Sequence, residues 1–529
     1  MGSADGAVAT RGSIPRQHTP HVERVERHDA QQHCVAPATL VSDARYHTPM
    51  EAANTAPPIV RLVGLIVGPI AAVLVSILSY ETLGYEGALV AGLLVWMATW
   101  WLTLAVDLAV TALLPVLLLP MLRVTSFAEA AAPYANDVIF LFGSGFVIAA
   151  GLERAGLTGR FAAIMVRLAG TRATAVVAAL MLATALTSAF VSNTATAAAM
   201  LPVAIALALT AKDASDEVRR KLLGAATLGV AYAANIGGAM TLIGSPPNAI
   251  AARYIEEKSG TAVTFVSWLG YGLPIGVVLL FVAWFVLVRV VFPIHGVRLA
   301  HVESAPSHER DQYAARAPSR VLTIFLLTVV AWLTRPLWGG SLPGLSDAGI
   351  AIGGAVLMLT VPRTMRPYAP LLSWHDLANL PWGVLVLFGG GLSIAAAVDA
   401  TGVAAAIAQG MSPIAAWPIA LTVLVIVTVA CFGSELVSNT ALAATSMPLV
   451  GGIAMSSGAP LEPLAIAAAL GCGLAFMLPV GTPPNAMAYA AGHVRPGEMM
   501  KAGILLNVVA VTLITVMIVA RMALRAGAG

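Results

Sequence analysis

The sequence predicts an all-α polytopic membrane protein, and its composition and long apolar runs carry that prediction. Of the 529 residues, 58% are hydrophobic and only 10% are charged, whereas a soluble domain carries about 25% charged residues. The mean hydropathy is +0.85. Many stretches run about 20 residues without a charge, which is long enough to cross a bilayer core about 30 Å thick. The alternating short strands typical of an outer-membrane barrel are missing from the sequence.

Composition and motifs argue against several other classes of protein. The net charge of +3 is small and scattered, so nucleic-acid binding is not expected. The three cysteines, Cys34, Cys431 and Cys472, have no CxxC spacing, so neither a disulfide framework nor a zinc site is predicted. The sequence has no HExxH motif, no paired carboxylates inside the bundle and no Ser–His constellation. We therefore expect neither an enzyme nor an organic cofactor.

The chain divides into a polar tail and two apolar halves joined by a linker. Residues 1–57 hold five of the ten histidines and no apolar run, which predicts a disordered tail. The first half is expected at 58–293, a cytoplasmic linker at 294–318 and the second half at 319–525. Lys and Arg in the connections predict a multi-pass protein of the inner (plasma) membrane with a cytoplasmic N-terminus.

Two identical polar tripeptides interrupt the apolar sequence, although an unpaired polar group in apolar surroundings is costly. They are Ser192-Asn193-Thr194 and Ser438-Asn439-Thr440. Apolar runs at 173–190 and 195–210 flank the first tripeptide, and runs at 414–434 and 441–456 flank the second. We expect each pair of runs to form a re-entrant hairpin with the tripeptide at its tip. Counting either segment as a full crossing would move basic clusters to the outside.

The chain also matches itself in three places, in the same order. The segment at 141–162, LFGSGFVIAAGLERAGLTGRFA, resembles the segment at 387–408, LFGGGLSIAAAVDATGVAAAIA, at an offset of 246 residues. The two tripeptides have the same offset of 246, and LIGSPPNAIA is matched by PVGTPPNAMAY at an offset of 237. This regularity indicates a duplication. An odd number of expected crossings separates the copies, so we predict an inverted-topology repeat, which favours a transporter over a duplicated channel or enzyme.

Each copy carries two consecutive prolines inside an apolar span, and these must break the helix. We expect freed carbonyl groups just before Gly244 and Gly481 and exposed amide groups on the helical half that follows. Irregular backbone at membrane depth survives only where it is buried in protein or lines a polar cavity. The proline pairs alone could be hinges, but their pairing with two polar tips favours a binding site.

A tip beside a broken helix offers groups for two kinds of ligand. Free carbonyl oxygens with Ser, Thr or Asn oxygens form a neutral cage suited to a hard cation such as Na⁺, and helix N-termini form an anion cradle. No Lys or Arg lies in these segments, so anion binding would depend on bound cations. Glu435 is the one acidic residue that adjoins a motif, and its counterpart in the first copy is Ala189. Because the first copy lacks this carboxylate, the two cation cages do not require Glu435.

At these motifs the sequence resembles the divalent anion–sodium symporter family, which includes dicarboxylate, citrate and sulfate transporters. The resemblance covers about residues 58–525 and includes the two tripeptides, VTALLPVLLLP, GSPPNA and GTPPNA, in family order. It implies about eleven transmembrane helices plus two re-entrant hairpins. It also implies a scaffold domain, a transport domain that moves like an elevator, and a homodimer. The long polar N-terminal tail is atypical of the family.

The resemblance assigns ligands to both copies. It implies a first sodium site at Ser188, Ser192, Asn193 and the backbone of Gly244. It implies a second sodium site at Ser434, the backbone of Val437, Asn439 and the backbone of Gly481. Substrate carboxylates would meet both tripeptides and the residues around the breaks. These substrate residues are Ser192, Asn193, Thr194, Ser438, Asn439, Thr440, Ser245, Pro246, Thr482 and Pro483. Ser188 and Ser434 each lie four residues before their tripeptide, so the repeat supports pairing them.

Together these observations predict a secondary transporter that couples two or more Na⁺ to a divalent anion. The expected substrate is a C4-dicarboxylate such as succinate, malate or fumarate. A sodium-independent dicarboxylate exchanger, and sulfate or citrate transport by the same fold, stay open as alternatives. The expected partners are the small anion, sodium ions, the lipid bilayer and a second copy of the chain.

Overall fold

A computed structural model describes most of the chain after the polar tail. The described residues are 58–211, 214–299, 317–342, 344–378 and 380–527. The predicted tail at 1–57 and residues 300–316 of the predicted linker lie outside the described residues.

Long apolar helices make up most of the described chain, as expected for an all-α polytopic membrane protein. Seven helical stretches among the described residues are long and apolar enough to cross a bilayer. They are Pro58–Thr103, Phe127–Arg154, Asp216–Met240, Phe265–Val291, Ala317–Trp338, Trp382–Ala400 and Pro496–Arg525. Many large apolar side chains on them are exposed, including Ile59 (76%), Leu78 (80%) and Leu337 (86%), which suits contact with lipid. The count of about eleven spans plus two hairpins stays a prediction.

The first half consists of helices, with short 3₁₀ and π segments. The elements are α1 (Pro58–Thr103), α2 (Leu108–Thr111), α3 (Leu114–Met121), α4 (Phe127–Ala131), a 3₁₀ turn (Ala132–Tyr134), α5 (Asp137–Arg154), α6 (Leu157–Ala169), α7 (Ala173–Ser188), α8 (Asn193–Leu209), α9 (Asp216–Met240), α10 (Pro246–Ser259), α11 (Phe265–Phe285) and a π segment (Val286–Val291). Gly84 has φ 69°, which only glycine adopts freely, so α1 consists of two helices joined at that residue.

The second half contains a similar series of helices and one small β-hairpin. The elements are α12 (Ala317–Trp338), α13 (Asp347–Thr360), β1 (Pro362–Met365), β2 (Tyr368–Pro370), a 3₁₀ turn (Trp374–Leu377), α14 (Trp382–Ala400), α15 (Val403–Gly410), α16 (Ser412–Ala415), α17 (Ile419–Gly433), α18 (Asn439–Ser457), α19 (Leu461–Gly473), α20 (Pro483–Ala490) and α21 (Pro496–Gly527). The two strands pair antiparallel.

The core lies around α9 and α19, the helices that precede the two breaks. Every residue of α9 from Leu222 to Met240 is buried, and so is every residue of α19 from Pro463 to Gly473. Both helices are rich in Ala and Gly, so neighbouring backbones come close. A Cβ atom built on Gly237 would lie only 2.2 Å from the carbonyl oxygen of Ala185 in α7. This close packing holds the polar segments described next in fixed positions.

Candidate functional site

The first polar tripeptide lies where one helix ends and another begins. Helix α7 ends at Ser188, and α8 begins at Asn193 after an N-cap at Ser192. The Ser192 hydroxyl accepts a hydrogen bond from the Ala195 amide at 3.2 Å. Ser192 is exposed, whereas Asn193 and Thr194 are partly buried. The first turn of α8 therefore presents amide groups and the positive end of its dipole at this tip.

The first proline pair stands at the start of a helix, as predicted. Helix α9 ends at Met240, and α10 begins with Pro246 after an extended Ser245. The Asn248 side-chain amide donates to the carbonyl groups of Gly238 at 2.9 Å and Thr241 at 2.8 Å. Asn248 thus stabilises the break by binding two carbonyl groups where the helix is interrupted, one of which also accepts from the Gly244 amide at 3.3 Å.

The first tip and the first break meet in a cluster of oxygen atoms. The Ser188 hydroxyl lies 2.8 Å from both the Asn193 side-chain oxygen and the Ala234 carbonyl. A Cβ atom on Gly238 would lie 2.2 Å from that Asn193 oxygen. A Cβ atom on Gly244 would lie 2.6 Å from the Gly238 carbonyl. The structure therefore brings Ser188, Asn193 and Gly244 of the predicted first sodium set together, while the Ser192 hydroxyl caps its own helix.

The second tip also lies between the end of one helix and the start of the next, but its side chains form different hydrogen bonds. Helix α17 ends at Gly433 and α18 begins at Asn439, 246 residues after the start of α8. The fully buried Ser434 hydroxyl donates to the Cys431 carbonyl at 2.8 Å. Ser438 caps α18 without a side-chain hydrogen bond. Val437 and Thr440 are partly buried at the same tip.

The second break is longer than the sequence predicted. Helix α19 ends at Gly473, whereas freed carbonyl groups were expected only just before Gly481. Helix α20 then begins with Pro483 after an N-cap at Thr482, whose hydroxyl accepts from the Asn485 amide at 3.3 Å. The Asn485 side chain repeats the role of Asn248, because it donates to the Ala475 and Leu478 carbonyls at 3.1 and 3.2 Å.

In the second copy Glu435 binds the backbone amides of the unwound segment. Its carboxylate accepts hydrogen bonds from the backbone amides of Phe476 at 2.7 Å, Met477 at 2.8 Å and Leu478 at 2.9 Å. These amides no longer need helical partners. In the first copy Ala189 stands at this place, and its carbonyl accepts from the Thr241 hydroxyl instead.

The helix that begins at each tip packs against broken helices of both copies. Helix α8 of the first tip packs against its own broken helix α9 and also against α20 of the other copy. Helix α18 of the second tip likewise packs against α19 and against α10. Ser245, Pro246, Thr482 and Pro483 thus stand at the starts of helices, α10 and α20, that pack against the tip helix of the other copy.

Asn235 is a polar link between the copies that the sequence analysis did not identify. Its side-chain amide donates to the Thr482 hydroxyl at 3.0 Å, the Asn485 side-chain oxygen at 3.3 Å and the Ala475 carbonyl at 3.3 Å. It is 1% exposed. The only signal in the sequence is a single Asn among small apolar residues, YAANIGG, and its counterpart at the 237-residue offset is Cys472. Asn248 and Asn485 carried a clearer signal, since each ends a Pro-Pro-Asn motif.

The oxygen atoms of this cluster fit a hard cation such as Na⁺ and not a transition metal. Carbonyl, amide and hydroxyl oxygens are the ligands that hard cations prefer. The Asn439 side-chain oxygen is buried and accepts no hydrogen bond, and a cation would satisfy such an atom. Among the described residues, no group of three His, Cys, Asp or Glu side chains could hold a metal ion.

The fold and this site define a class of protein, a polytopic helical membrane transporter. The family model described as "Citrate transporter" matches residues 92–471. The sodium-dependent dicarboxylate transporter SdcS of Staphylococcus saprophyticus is 33% identical over 477 residues, which cover 87% of this chain and 91% of that protein. The protein of the same name from a bovine strain of Staphylococcus aureus is 32% identical and covers 87% of this chain and 90% of its own length.

These matches identify the family. The chain belongs to the divalent anion–sodium symporter family, as its motifs predicted, and it is a transporter and not an enzyme. The crystal structure of the Alcanivorax borkumensis YdaH transporter matches with a TM-score of 0.55 and 16% sequence identity, covering 74% of this chain and 86% of that one. This similarity concerns the fold alone.

Proposed function

We propose that the protein is a secondary active transporter that imports a C4-dicarboxylate such as succinate, malate or fumarate together with Na⁺. The observation that carries the proposal is that polar groups at each tip contact a broken helix. The Ser188 hydroxyl joins Asn193 to the Ala234 carbonyl in the first copy, and Glu435 binds the backbone amides of Phe476 and Leu478 in the second. The relatives that share a third of their sequence with this chain are named sodium-dependent dicarboxylate transporters. Their names support both the coupling ion and the substrate class.

The proposal assigns two sodium sites, one to each copy. The first consists of Ser188, Ser192, Asn193 and the backbone of Gly244, and the second of Ser434, Val437 (backbone), Asn439 and the backbone of Gly481. The contact between the Ser188 hydroxyl and the Asn193 side-chain oxygen supports the first site. The buried Asn439 oxygen without a hydrogen-bond donor supports the second.

The anion is proposed to bind between the two tips. Its carboxylates would face Ser192, Asn193, Thr194, Ser438, Asn439, Thr440, Ser245, Pro246, Thr482 and Pro483. The starts of α8 and α18 support this assignment, because helix N-termini attract anions through free amides and the helix dipole. These segments contain no Lys or Arg. Bound Na⁺ would therefore supply the positive charge that the anion needs, which is the physical basis proposed for obligatory coupling.

The wider mechanism follows the family. The proposal includes an inner-membrane protein with a cytoplasmic N-terminus, a homodimer, and a transport domain that carries the site across the membrane in an elevator-type motion. In such a motion the transport domain would move as a rigid body and carry the site with it. The buried, closely packed helices around the site support such a rigid unit.

Uptake into proteoliposomes tests the coupling. We expect labelled succinate to accumulate when a Na⁺ gradient points inward and to stay near background when choline replaces Na⁺. Uptake that continues undiminished without Na⁺ but requires a dicarboxylate inside the vesicle would identify an exchanger and contradict the symport proposal. Competition by malate, fumarate, citrate, sulfate and 2-oxoglutarate at equal concentration then ranks the substrates. Citrate or sulfate competing better than every C4-dicarboxylate would contradict the assigned substrate class.

Alanine at either tip asparagine tests the sodium sites. We expect both Asn193→Ala and Asn439→Ala to raise the Na⁺ concentration for half-maximal succinate uptake by about tenfold or more. A hydrogen bond or ligand contact to a charged partner contributes about 1.5–3 kcal/mol, and each 1.4 kcal/mol is about tenfold.

Thr428→Ala in α17 is a control for the tip variants. Its exposed hydroxyl only bonds the carbonyl one turn back, at 2.7 Å. The sodium dependence of this variant should match that of the unaltered protein. An unchanged half-maximal concentration in both asparagine variants would argue against the assigned sites.

A further inference from the structure

Two arginines lie directly opposite each other where α7 begins and the chain leaves α11. Arg172 precedes α7, Arg298 follows the π segment, and the two form an isolated antiparallel bridge. In such a pair without mutual hydrogen bonds the Cα atoms lie about 4.5 Å apart and the side chains project from one face. The flanking backbone hydrogen bonds run from Ala173 to Val297 at 3.0 Å and from Leu299 to Thr171 at 2.8 Å.

This arrangement brings two positive charges together without a negative one. Both arginine side chains are exposed. Among the residues that the structure describes, neither Arg172 nor Arg298 forms an ion pair with a carboxylate. Like charges directly opposite each other are destabilising. An anion bound between the two guanidinium groups would replace this repulsion with attraction.

The chain around the bridge carries positive charge only. Residues 155–176 contain three arginines, residues 286–299 contain two, and neither segment contains Asp or Glu. Helix α7 begins beside Arg172 without a side-chain cap. Its first amides and the positive end of its dipole therefore add to the same field. The bridge is thus a surface that favours a negatively charged ligand.

The Trp284 side chain fixes the two helix ends relative to each other. Its indole nitrogen, near the end of α11, donates to the Thr174 carbonyl in the first turn of α7 at 2.9 Å. Together with the two backbone hydrogen bonds of the bridge, this contact holds the arginine backbones in place. The pair is therefore formed before any ligand binds.

Exposed apolar side chains lead from the neighbouring helices to the bridge. Helix α11 with its π segment is long and apolar enough to cross a bilayer. Phe281, Phe285 and Arg289 follow one another at four-residue intervals along it, and all three are exposed. Helix α6, which packs against α7, exposes Ile164 and Leu168. Because such faces suit contact with acyl chains, the arginine pair lies at the level of lipid headgroups.

We propose that Arg172 and Arg298 bind the phosphate group of an anionic phospholipid such as phosphatidylglycerol. Guanidinium groups donate paired hydrogen bonds that match phosphate oxygens. The acyl chains would lie along the exposed faces of α6 and α11. The proposed orientation puts the bridge on the cytoplasmic side, where anionic lipids attract basic segments. Lipid binding here is independent of the proposed sodium and substrate sites.

Lipid titration of the purified full-length protein in detergent tests this site. The measured quantity is the apparent unfolding temperature as phosphatidylglycerol is added to micelles that contain a fixed amount of phosphatidylcholine. We expect the double variant Arg172→Gln/Arg298→Gln to need about tenfold more phosphatidylglycerol for half-maximal stabilisation, equivalent to about 1.4 kcal/mol. The proposal fails if this variant titrates like the unaltered protein. It also fails if added phosphatidylcholine stabilises the unaltered protein as well as phosphatidylglycerol does.

Two further variants separate the arginine pair from net charge. Arg219 lies on the same predicted side of the membrane but has its own carboxylate, Asp216, at 3.5 Å. Arg219→Gln should therefore titrate like the unaltered protein, and an effect as large as that of the double variant would contradict a specific site. Arg172→Lys/Arg298→Lys keeps both charges and should stay within a few-fold of the unaltered protein. A lysine pair that binds as weakly as the glutamine pair would contradict the role of the two charges.

The same titration distinguishes a lipid from two other anions. If inorganic phosphate at equal concentration raises the unfolding temperature as phosphatidylglycerol does, the site binds a small anion and the lipid assignment fails. The segment after Leu299 contains three acidic residues, Glu303, Glu309 and Asp311. If phosphatidylglycerol stabilises only a variant with amides at these three positions, the chain's own carboxylates occupy the pair and the lipid assignment fails as well.

Succinate uptake keeps this result separate from the proposed function. The double glutamine variant should show the same half-maximal Na⁺ concentration as the unaltered protein, because the bridge contains none of the proposed sodium ligands. Uptake by the unaltered protein that continues undiminished without Na⁺ would overturn the symport proposal and leave lipid binding at the bridge intact.

Discussion

Replacing Gly238 with alanine is expected to reduce succinate uptake strongly while the protein still folds and reaches the membrane. Gly238 lies in α9, next to Asn193 of the first tip. The added Cβ atom would lie 2.2 Å from the Asn193 side-chain oxygen and 2.7 Å from its nitrogen. Real Cβ atoms do not approach other heavy atoms so closely, so the Asn193 side chain must leave its place.

The expected size of the effect follows from what that displacement breaks. Asn193 would lose its contact with the Ser188 hydroxyl, which is 2.8 Å long, and with it the proposed first sodium site. Overpacking of this kind costs about 1–3 kcal/mol, which is about five- to 150-fold in an equilibrium constant. We expect initial uptake at a fixed Na⁺ gradient to fall by about a hundredfold.

A matched glycine provides the control for this experiment. Gly353 lies inside α13, and a Cβ atom there would have nothing within 4 Å. Gly353→Ala should therefore transport like the unaltered protein, because alanine also favours the helix. Normal uptake by Gly238→Ala would mean that Asn193 has no required position, and it would remove the first sodium site from the proposal.

The sequence predicted the class of protein and the places where the helices after the tips and breaks begin. Runs of apolar residues predicted membrane helices, and two proline pairs predicted two breaks, because a proline without an amide hydrogen cannot continue a helix. Helices α10 and α20 begin at Pro246 and Pro483. The polar tripeptides predicted the starts of α8 and α18 in the same way.

The partners across the cluster could not be predicted from the sequence. Which tip packs on which broken helix depends on the packing of the whole bundle, and each tip helix contacts broken helices of both copies. Asn235 is a single asparagine in a buried helix, and nothing in its neighbourhood in the sequence points to Thr482 or Asn485. Hydrogen bonds between residues far apart in the sequence leave no local sequence pattern that would predict them.

Glu435 illustrates a second reason why the site could not be predicted completely from the sequence. Comparing the copies suggested that the site does not require this residue, since its counterpart is Ala189. The comparison could not show that α19 would end at Gly473 and leave three amides for the carboxylate. Comparing the two copies shows which residues they share. The role of a residue that differs between them can be assigned only once the backbone structure is known.

Removing the side-chain amide of Asn485 is expected to have the second large effect, on both stability and uptake. This amide donates to the Ala475 and Leu478 carbonyls at 3.1 and 3.2 Å, and the side-chain oxygen accepts from Asn235 at 3.3 Å. Asn485 is fully buried, so water cannot replace it readily. The Ala475 carbonyl would keep a donor from Asn235 at 3.3 Å and the Leu478 carbonyl one from the Gly481 amide at 3.1 Å. The expected cost is therefore that of two lost buried hydrogen bonds, about 0.5–1.5 kcal/mol each.

The isosteric Asn485→Asp variant separates the loss of the amide donor from a loss of side-chain volume. Its side chain fills the same space, but a carboxylate oxygen replaces the donor and faces two carbonyl oxygens. We therefore expect Asn485→Asp to lower the unfolding temperature and the uptake rate at least as much as Asn485→Ala, although it removes fewer atoms. Asn248→Asp should behave likewise at the first break, because Asn248 binds the Gly238 and Thr241 carbonyls in the same manner.

Thr512→Ala in α21 is the neutral reference, since its exposed hydroxyl bonds only the Val508 carbonyl one turn back. If the broken helices are held open by their asparagines, the two aspartate variants lose uptake and the Thr512 variant does not. Asn485→Asp with normal uptake and an unchanged unfolding temperature would mean that the donors from Asn235 and the Gly481 amide are sufficient for these carbonyls. The breaks would then be hinges whose shape does not depend on the third residue of the Pro-Pro-Asn motif.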